Sequence, residues 1–157
     1  MTSSDTKSIT WSVAITGTRN VGHREPVEYA DLFATHLSRY ADMHFYIGGA
    51  KGIDSLALLW LAGETAARIT IVVPGRVDQQ PAEARQAITR SRDSIDEIVE
   101  LKAVELRSHA YHERNRYMVD RSSLTIGFPH HDEPESGTWQ TLNYCAQLRK
   151  PRLIVPI

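Results

Sequence analysis

Cysteine is nearly absent from this sequence, and that removes two classes of protein at once. Cys145 is the only one in 157 residues, so neither an internal disulfide nor a cysteine-rich zinc site can form. Such a composition fits the reducing cytoplasm and gives no support to secretion. Long apolar runs are missing too. The strongest, Leu56 to Ala62 (LALLWLA), falls far short of the roughly 20 residues of a spanning helix, and MTSSDTKSIT at the start has no apolar signal region. The expectation is a soluble protein without membrane contact. Nor does one charge dominate: 18 Lys and Arg against 19 Asp and Glu leave a formal charge of −1 and a pI near 6.7. The broad basic footprint of a non-specific duplex binder is therefore lacking, and any contact with nucleic acid must be local. Two phosphate-loop patterns are also missing. Gly17 to Gly22 is not G-x-G-x-x-G and no Gly-Lys-Ser/Thr occurs, which disfavours ordinary NAD dehydrogenases and P-loop ATPases.

What the chain does have is alternation. Residues 1–10 are small and polar and read as a flexible leader, and from Trp11 onward short β-rich runs alternate with segments of helical period. Residues 11–157 are thus expected to form one α/β domain, a mostly parallel six-stranded sheet with helices on both faces. The strands are expected at Val13 to Gly17, Met43 to Ile47, Ile69 to Val73, Glu97 to Leu101, Leu124 to Phe128 and Arg152 to Pro156. Most are continuous apolar runs, as strands buried on both faces should be. The expectation is that the last strand closes the domain and leaves nothing for an appended module.

Pro26 opens a helix with Ala30, Phe33, Leu37 and Tyr40 on one stripe. The second helix, about Ile53 to Ala67, is apolar nearly all round its first half, and a homodimer through Ile53 to Leu61 would explain the excess. A third begins at Pro81 with Ala84, Ala87 and Ile88 inward. Ser108 caps a fourth with Tyr111, Asn115, Met118 and Ser122 inward, and Ser136 a fifth with Trp139, Leu142 and Ala146 inward.

In an open parallel sheet the ligand crevice lies beyond the carboxyl ends of the strands. Glycine gathers there: Gly17-Thr18-Arg19-Asn20-Val21-Gly22, Gly48-Gly49-Ala50-Lys51-Gly52-Ile53-Asp54, Pro74-Gly75-Arg76 and Ser136-Gly137-Thr138. Any one such loop can be a plain tight turn. Four on one edge point instead to backbone N–H groups and helix N-termini aimed at phosphate. The fourth helix adds Arg114, Asn115 and Arg116; one arginine is expected to reach phosphate and the other to pair with Glu113 or Asp120.

At these residues the chain resembles the superfamily that unites DNA processing protein A with the Lonely Guy cytokinin-activating phosphoribohydrolases. ITGTR at Ile15 to Arg19, GGAKGIDSLA at Gly48 to Ala57, ERNRYMVDRSS at Glu113 to Ser123 and SGTWQT at Ser136 to Thr141 are similar to segments of the Rossmann domain of DNA processing protein A. The resemblance spans nearly the whole chain. It implies a three-layer Rossmann-like fold, with Gly17, Thr18, Arg19, Asn20, Gly48, Gly49, Ala50, Lys51, Gly52, Arg114, Asn115, Arg116, Ser136, Gly137 and Thr138 around the ligand. In that picture Gly17, Gly49 and Gly137 bring backbone donors, Lys51 and Arg19 supply charge, and Asp54 braces its own loop. The Lonely Guy motif P-G-G-x-G-T-x-x-E ends in a glutamate, whereas Thr141 stands at that position here; Glu133 or Glu135 are the nearby carboxylates.

Three readings follow. The first is a sensor or binding module for a nucleotide or nucleotide-derived ligand, with no cofactor required. The second is a single-stranded DNA binder using Arg19, Lys51, Arg114 and Arg116 of two subunits, and the third a nucleotide N-glycosidase with its catalytic residues unassigned. Metal is set aside: His109 and His112 lack a third ligand, and His130-His131-Asp132-Glu133 reads as a polar lid. Cys145 and Trp60 read as packing residues, and Trp139 as packing or a stack for a base.

Overall fold

A computed structural model of the protein describes residues 11–130, 133, 134 and 136–157. The leader, His131, Asp132 and Glu135 lie outside the described residues. Six strands form one sheet: β1 (Ser12–Gly17), β2 (His44–Gly48), β3 (Arg68–Val73), β4 (Glu97–Glu100), β5 (Leu124–Phe128) and β6 (Arg152–Ile154). Their order is β4-β3-β2-β1-β5-β6, and every neighbouring pair is parallel. Val13 of β1 stands between Phe45 of β2 and Leu124 of β5. Five helices connect them: α1 (Pro26–Leu37), α2 (Ile53–Glu64), α3 (Ala82–Arg90), α4 (Ser108–Asp120) and α5 (Gly137–Gln147).

The two-residue period of a strand divides the interior. Val13, Ile15, Phe45, Ile47, Ile69 and Ile71 pack with α1, α2 and α3, while Ala14 and Val72 pack with Met118 of α4. Gly127 of β5 faces α5, where an added Cβ would stand 2.7 Å from Leu142 Cδ1. Fully burying one Ile, Leu or Phe here contributes about 1.5–3 kcal/mol. Among the described residues no helix is long and apolar enough to cross a membrane.

Several inner faces differ from the sequence reading. On α1 the buried stripe is Tyr29, Phe33 and Leu37 rather than one through Ala30, and Tyr40 falls in a separate 3-10 turn, Ser38–Tyr40. Tyr29 can be buried because its hydroxyl donates to Val21 O at 2.8 Å, while the Phe33 ring meets Phe128 edge-on at 5.5 Å. The second helix stops at Glu64, where Thr65 folds back to donate to Leu61 O. Its apolar flanks, Leu56, Leu59 and Trp60, are half-buried against the same core, between α1 and α3. The large apolar side chains exposed among the described residues are Trp11, Val27, Val104 and Leu148, none of them on α2. The apolar excess thus has a place within one chain.

On α4 the buried positions are Ala110, Arg114, Met118 and Val119, so a charged residue takes the inward place that the sequence pattern assigns to Asn115. Arg107, not Ser108, occupies the N-cap position there. On α5 they are Thr138, Thr141, Leu142 and Cys145; Trp139 is half-buried and Ala146 exposed. Lys150 closes the far end of α4, its ammonium donating to Val119 O, Asp120 O and Ser122 O at 2.9, 2.9 and 3.1 Å. Three N–H groups meet three carbonyls at the negative end of a helix dipole.

Candidate functional site

The strand order turns outward in both directions from β1 and β5, and the carboxyl ends of that pair mark the crevice. A cleft of about 1140 Å³ opens there. Its floor is Gly17 to Asn20 with Ala50, Lys51 and Asp54; α4 forms one wall through Tyr111 and Arg114, with Arg107 at its start; Glu133 and Ser136 to Thr138 form the other.

The loops are stitched to one another before any ligand arrives. Ile53 N–H donates to Thr18 O at 3.0 Å, and Thr18 N–H donates to Phe128 O at 3.1 Å. Gly52 has φ +80°, and a Cβ on it would stand 2.5 Å from Thr18 O, so both its angle and its closeness to the first loop require glycine. Its N–H donates to Glu83 Oε2 of α3 at 2.7 Å, away from the cleft. Gly48 lies beneath Arg114, and Gly49 against Val73. Gly48, Gly49 and Gly52 therefore serve close packing between chain segments and stand behind the residues that line the cleft. Arg116 also lies outside it, between α4 and α5. The remaining expected residues, Gly17, Thr18, Arg19, Asn20, Ala50, Lys51, Arg114, Asn115, Ser136, Gly137 and Thr138, are brought together around one space.

Two buried charges form its inner end. Arg114, 5% exposed, donates from Nη1 to Val72 O at 3.3 Å and from Nε to Asn115 Oδ1 at 2.8 Å. Asp54, 6% exposed, accepts from Ala50 N–H at 3.4 Å. Burial pushes the Asp54 carboxyl up to about 7, against the pull of Arg114 and of the Ala50 N–H. Burial likewise lowers Arg114, with Asp54 opposing.

Nearer the mouth, the Tyr111 ring has the Arg19 guanidinium 5.1 Å from its centroid and that of Arg114 at 5.9 Å. Glu133 accepts from Thr18 Oγ1 at 3.1 Å, which holds one carboxylate in the wall. Ser136 Oγ accepts from Trp139 N–H and starts α5. At the Lonely Guy glutamate position, the buried Thr141 hydroxyl donates to Gly137 O at 2.9 Å. Among the described residues no group of three or more His, Cys, Asp or Glu side chains can hold a metal. His109 instead pairs with Glu113 at 2.9 Å, and the His130 ring meets His23 at 4.4 Å.

Arg107, Ser108, Tyr111, His112 and Gln140 also line the cleft, although strand ends and glycine loops do not point to them as ligand contacts. The residues from 101 to 107 separate the end of β4 from the start of α4, so no strand end leads directly to this wall. Tyr111 lies one helical turn before Arg114, and that spacing is the signal the sequence offers for it.

The model for the DNA recombination-mediator protein A family matches residues 4–157. DNA processing protein A from Streptococcus pneumoniae shares the fold with a TM-score of 0.70 at 17% identity, over 94% of this chain and 51% of that one. The Helicobacter pylori protein, whose structure is described as showing a unique single-stranded DNA binding mode, gives 0.69 at 18% identity, over 98% and 69%. The chain thus spans about half the length of the first and about two thirds of the second. No curated protein sequence matches it. With a family match that runs from residue 4 to residue 157, and with the Rossmann-like sheet those relatives share, the chain belongs to the DNA recombination-mediator protein A family.

Proposed function

We propose that the cleft at the β1 and β5 ends binds single-stranded DNA. The observation that carries this reading is Tyr111, whose ring is flanked by two guanidinium groups inside a cleft that also presents Lys51 and Arg107. An aromatic face takes a base of any sequence, and the surrounding cations take the backbone. A chain of net charge −1 attracts a polyanion only through such a local concentration. Family membership and the strand-binding relative support the same reading. It needs no cofactor and a single chain; pairing through α2 would add a second cleft and show as one long strand shared by two chains.

A second reading, a small nucleotide or nucleotide-derived ligand, draws support from the closed inner end, where Asp54 and Arg114 offer a proton-accepting group and a fixed cation. The N-glycosidase reading has less: Thr141 supplies no acid or base, and Glu133 is the carboxylate in the wall.

Fluorescence anisotropy with labelled oligothymidylate across a salt series tests the proposal. Three exposed cations, Arg19, Lys51 and Arg107, should give a slope of log K against log salt of about −2. If mononucleotides raise the melting temperature while oligonucleotide neither binds nor shifts it, the small-ligand reading replaces this one. A ligand at 100 times its Kd adds about 2.7 kcal/mol, readily seen in a melt.

A further inference from the structure

A second, smaller groove of about 290 Å³ runs between α4 and α5, and His112, Asn115 and Gln140 line both it and the main cleft. The two spaces therefore adjoin along these three side chains. We infer that this groove is a second nucleotide subsite, which takes the next base of a single strand leaving the cleft; the inference rests on the strand-binding reading above.

Its chemistry points to a base rather than to a metal or an apolar ligand. Among the residues that line the groove there is no carboxylate, and Asn115, Gln140, Asn143 and Gln147 place four side-chain amides around it. Amides carry both donors and acceptors and match the hydrogen-bonding edges of bases. A stacking surface is also in place. The Arg116 guanidinium lies 5.5 Å from the centroid of the Tyr144 ring, and the Tyr144 hydroxyl donates to Asp120 Oδ1 at 2.6 Å, which fixes the ring. Arg116, left outside the main cleft, thus stands where the following phosphate would pass.

Asn115 joins the two spaces. Its Oδ1 accepts from Arg114 Nε at 2.8 Å, and because arginine only donates, the amide orientation is determined: Nδ2 is the end left to donate to a ligand. Arg114, held in turn by Val72 O, therefore sets a donor at the junction while reaching the cleft itself. A base carbonyl or a phosphate oxygen at that junction would complete it.

The test compares thymidine 5′-monophosphate with a hexanucleotide of thymidylate, by competition anisotropy, on the wild-type chain and on an Arg116→Ala/Tyr144→Ala double variant whose folding is checked by its thermal melt. Wild type should bind the longer strand more tightly. The double variant should match wild type on the mononucleotide and lose about tenfold on the hexanucleotide, the scale of one lost base stack. Tyr144→Phe, which keeps the ring, should retain the gain. Equal binding by variant and wild type at both lengths overturns the subsite and leaves the cleft reading intact. An equal loss at both lengths also overturns it, by placing the effect in the cleft. Failure of wild type to bind the hexanucleotide removes the parent reading, and this one with it.

Discussion

Arg114 lies directly over Gly48: a methyl group added to that glycine would stand 2.5 Å from Nη1 and 2.8 Å from Cζ. The same methyl would be 2.7 Å from Asp54 Oδ2, so the glycine keeps open the space between two buried charges. Gly48→Ala should push the guanidinium away from Val72 O. The expected cost is about 1–3 kcal/mol in urea unfolding, with weaker oligonucleotide binding. An unchanged melt would mean that Arg114 is free to move aside.

Asp54 should make stability depend on pH in an unusual direction. Its carboxyl is pushed from 3.8 up to about 7, so the folded chain holds this proton more readily than the unfolded one. The contribution is complete below the unfolded value and is lost as pH rises through the folded one. Asp54→Asn removes that loss. Relative to wild type, the variant should gain on the order of 4 kcal/mol between about pH 4 and about pH 8. A difference that stays constant across that range would place the Asp54 titration elsewhere. The same proton should strengthen binding of an anionic strand as pH falls through about 7.

Tyr111 and Arg19 should separate stacking from charge. Tyr111→Ala removes a platform worth about 1–3 kcal/mol per base and should leave the salt slope nearly unchanged. Arg19→Ala should lower the magnitude of that slope by about 0.7, the share of one phosphate contact on a single strand. Anisotropy at several salt concentrations reads both, and the same slope for the two variants would contradict the assignment.

Lys150 should matter for stability alone. Replacing it with Met leaves Val119 O, Asp120 O and Ser122 O without their shared donor at the end of α4. A loss of about 1–2 kcal/mol is expected in thermal or urea unfolding, with oligonucleotide affinity at room temperature preserved. Wild-type stability in the variant would show that water serves those carbonyls as well.

The sheet is legible in the sequence because parallel strands buried on both faces leave continuous apolar runs, and all six strands fall within two residues of where those runs lie. Helix faces are less so wherever a polar residue is buried for its hydrogen bonds. Apolarity selects Tyr111 and, on the same stripe, Asn115 of α4, yet Arg114 goes inward because Val72 O and Asn115 Oδ1 receive its donors. On α5, Thr141 is buried because its hydroxyl returns to Gly137 O. Glycine locates the crevice but not its lining: the same absence of Cβ serves a ligand at one position and a neighbouring segment at the next, as Gly52 against Thr18 shows. Arg107 and Tyr111 lie beyond the reach of strand ends, since the chain crosses from one edge of the sheet towards the other before α4 delivers them.

The pairing of β1 with β5 also sets the order in which this molecule can be made. Ser12 N–H meets Ser123 Oγ across 111 positions of sequence, so during synthesis the first strand waits for most of the chain before its second neighbour arrives. Four strands and four helices can assemble while the cleft still lacks the wall that β5 and α5 bring. Such distant pairing belongs to the slower class of folding reactions. Occupancy of the cleft is then a reporter of completion: in refolding, strand capture should appear with the final kinetic phase and not before it.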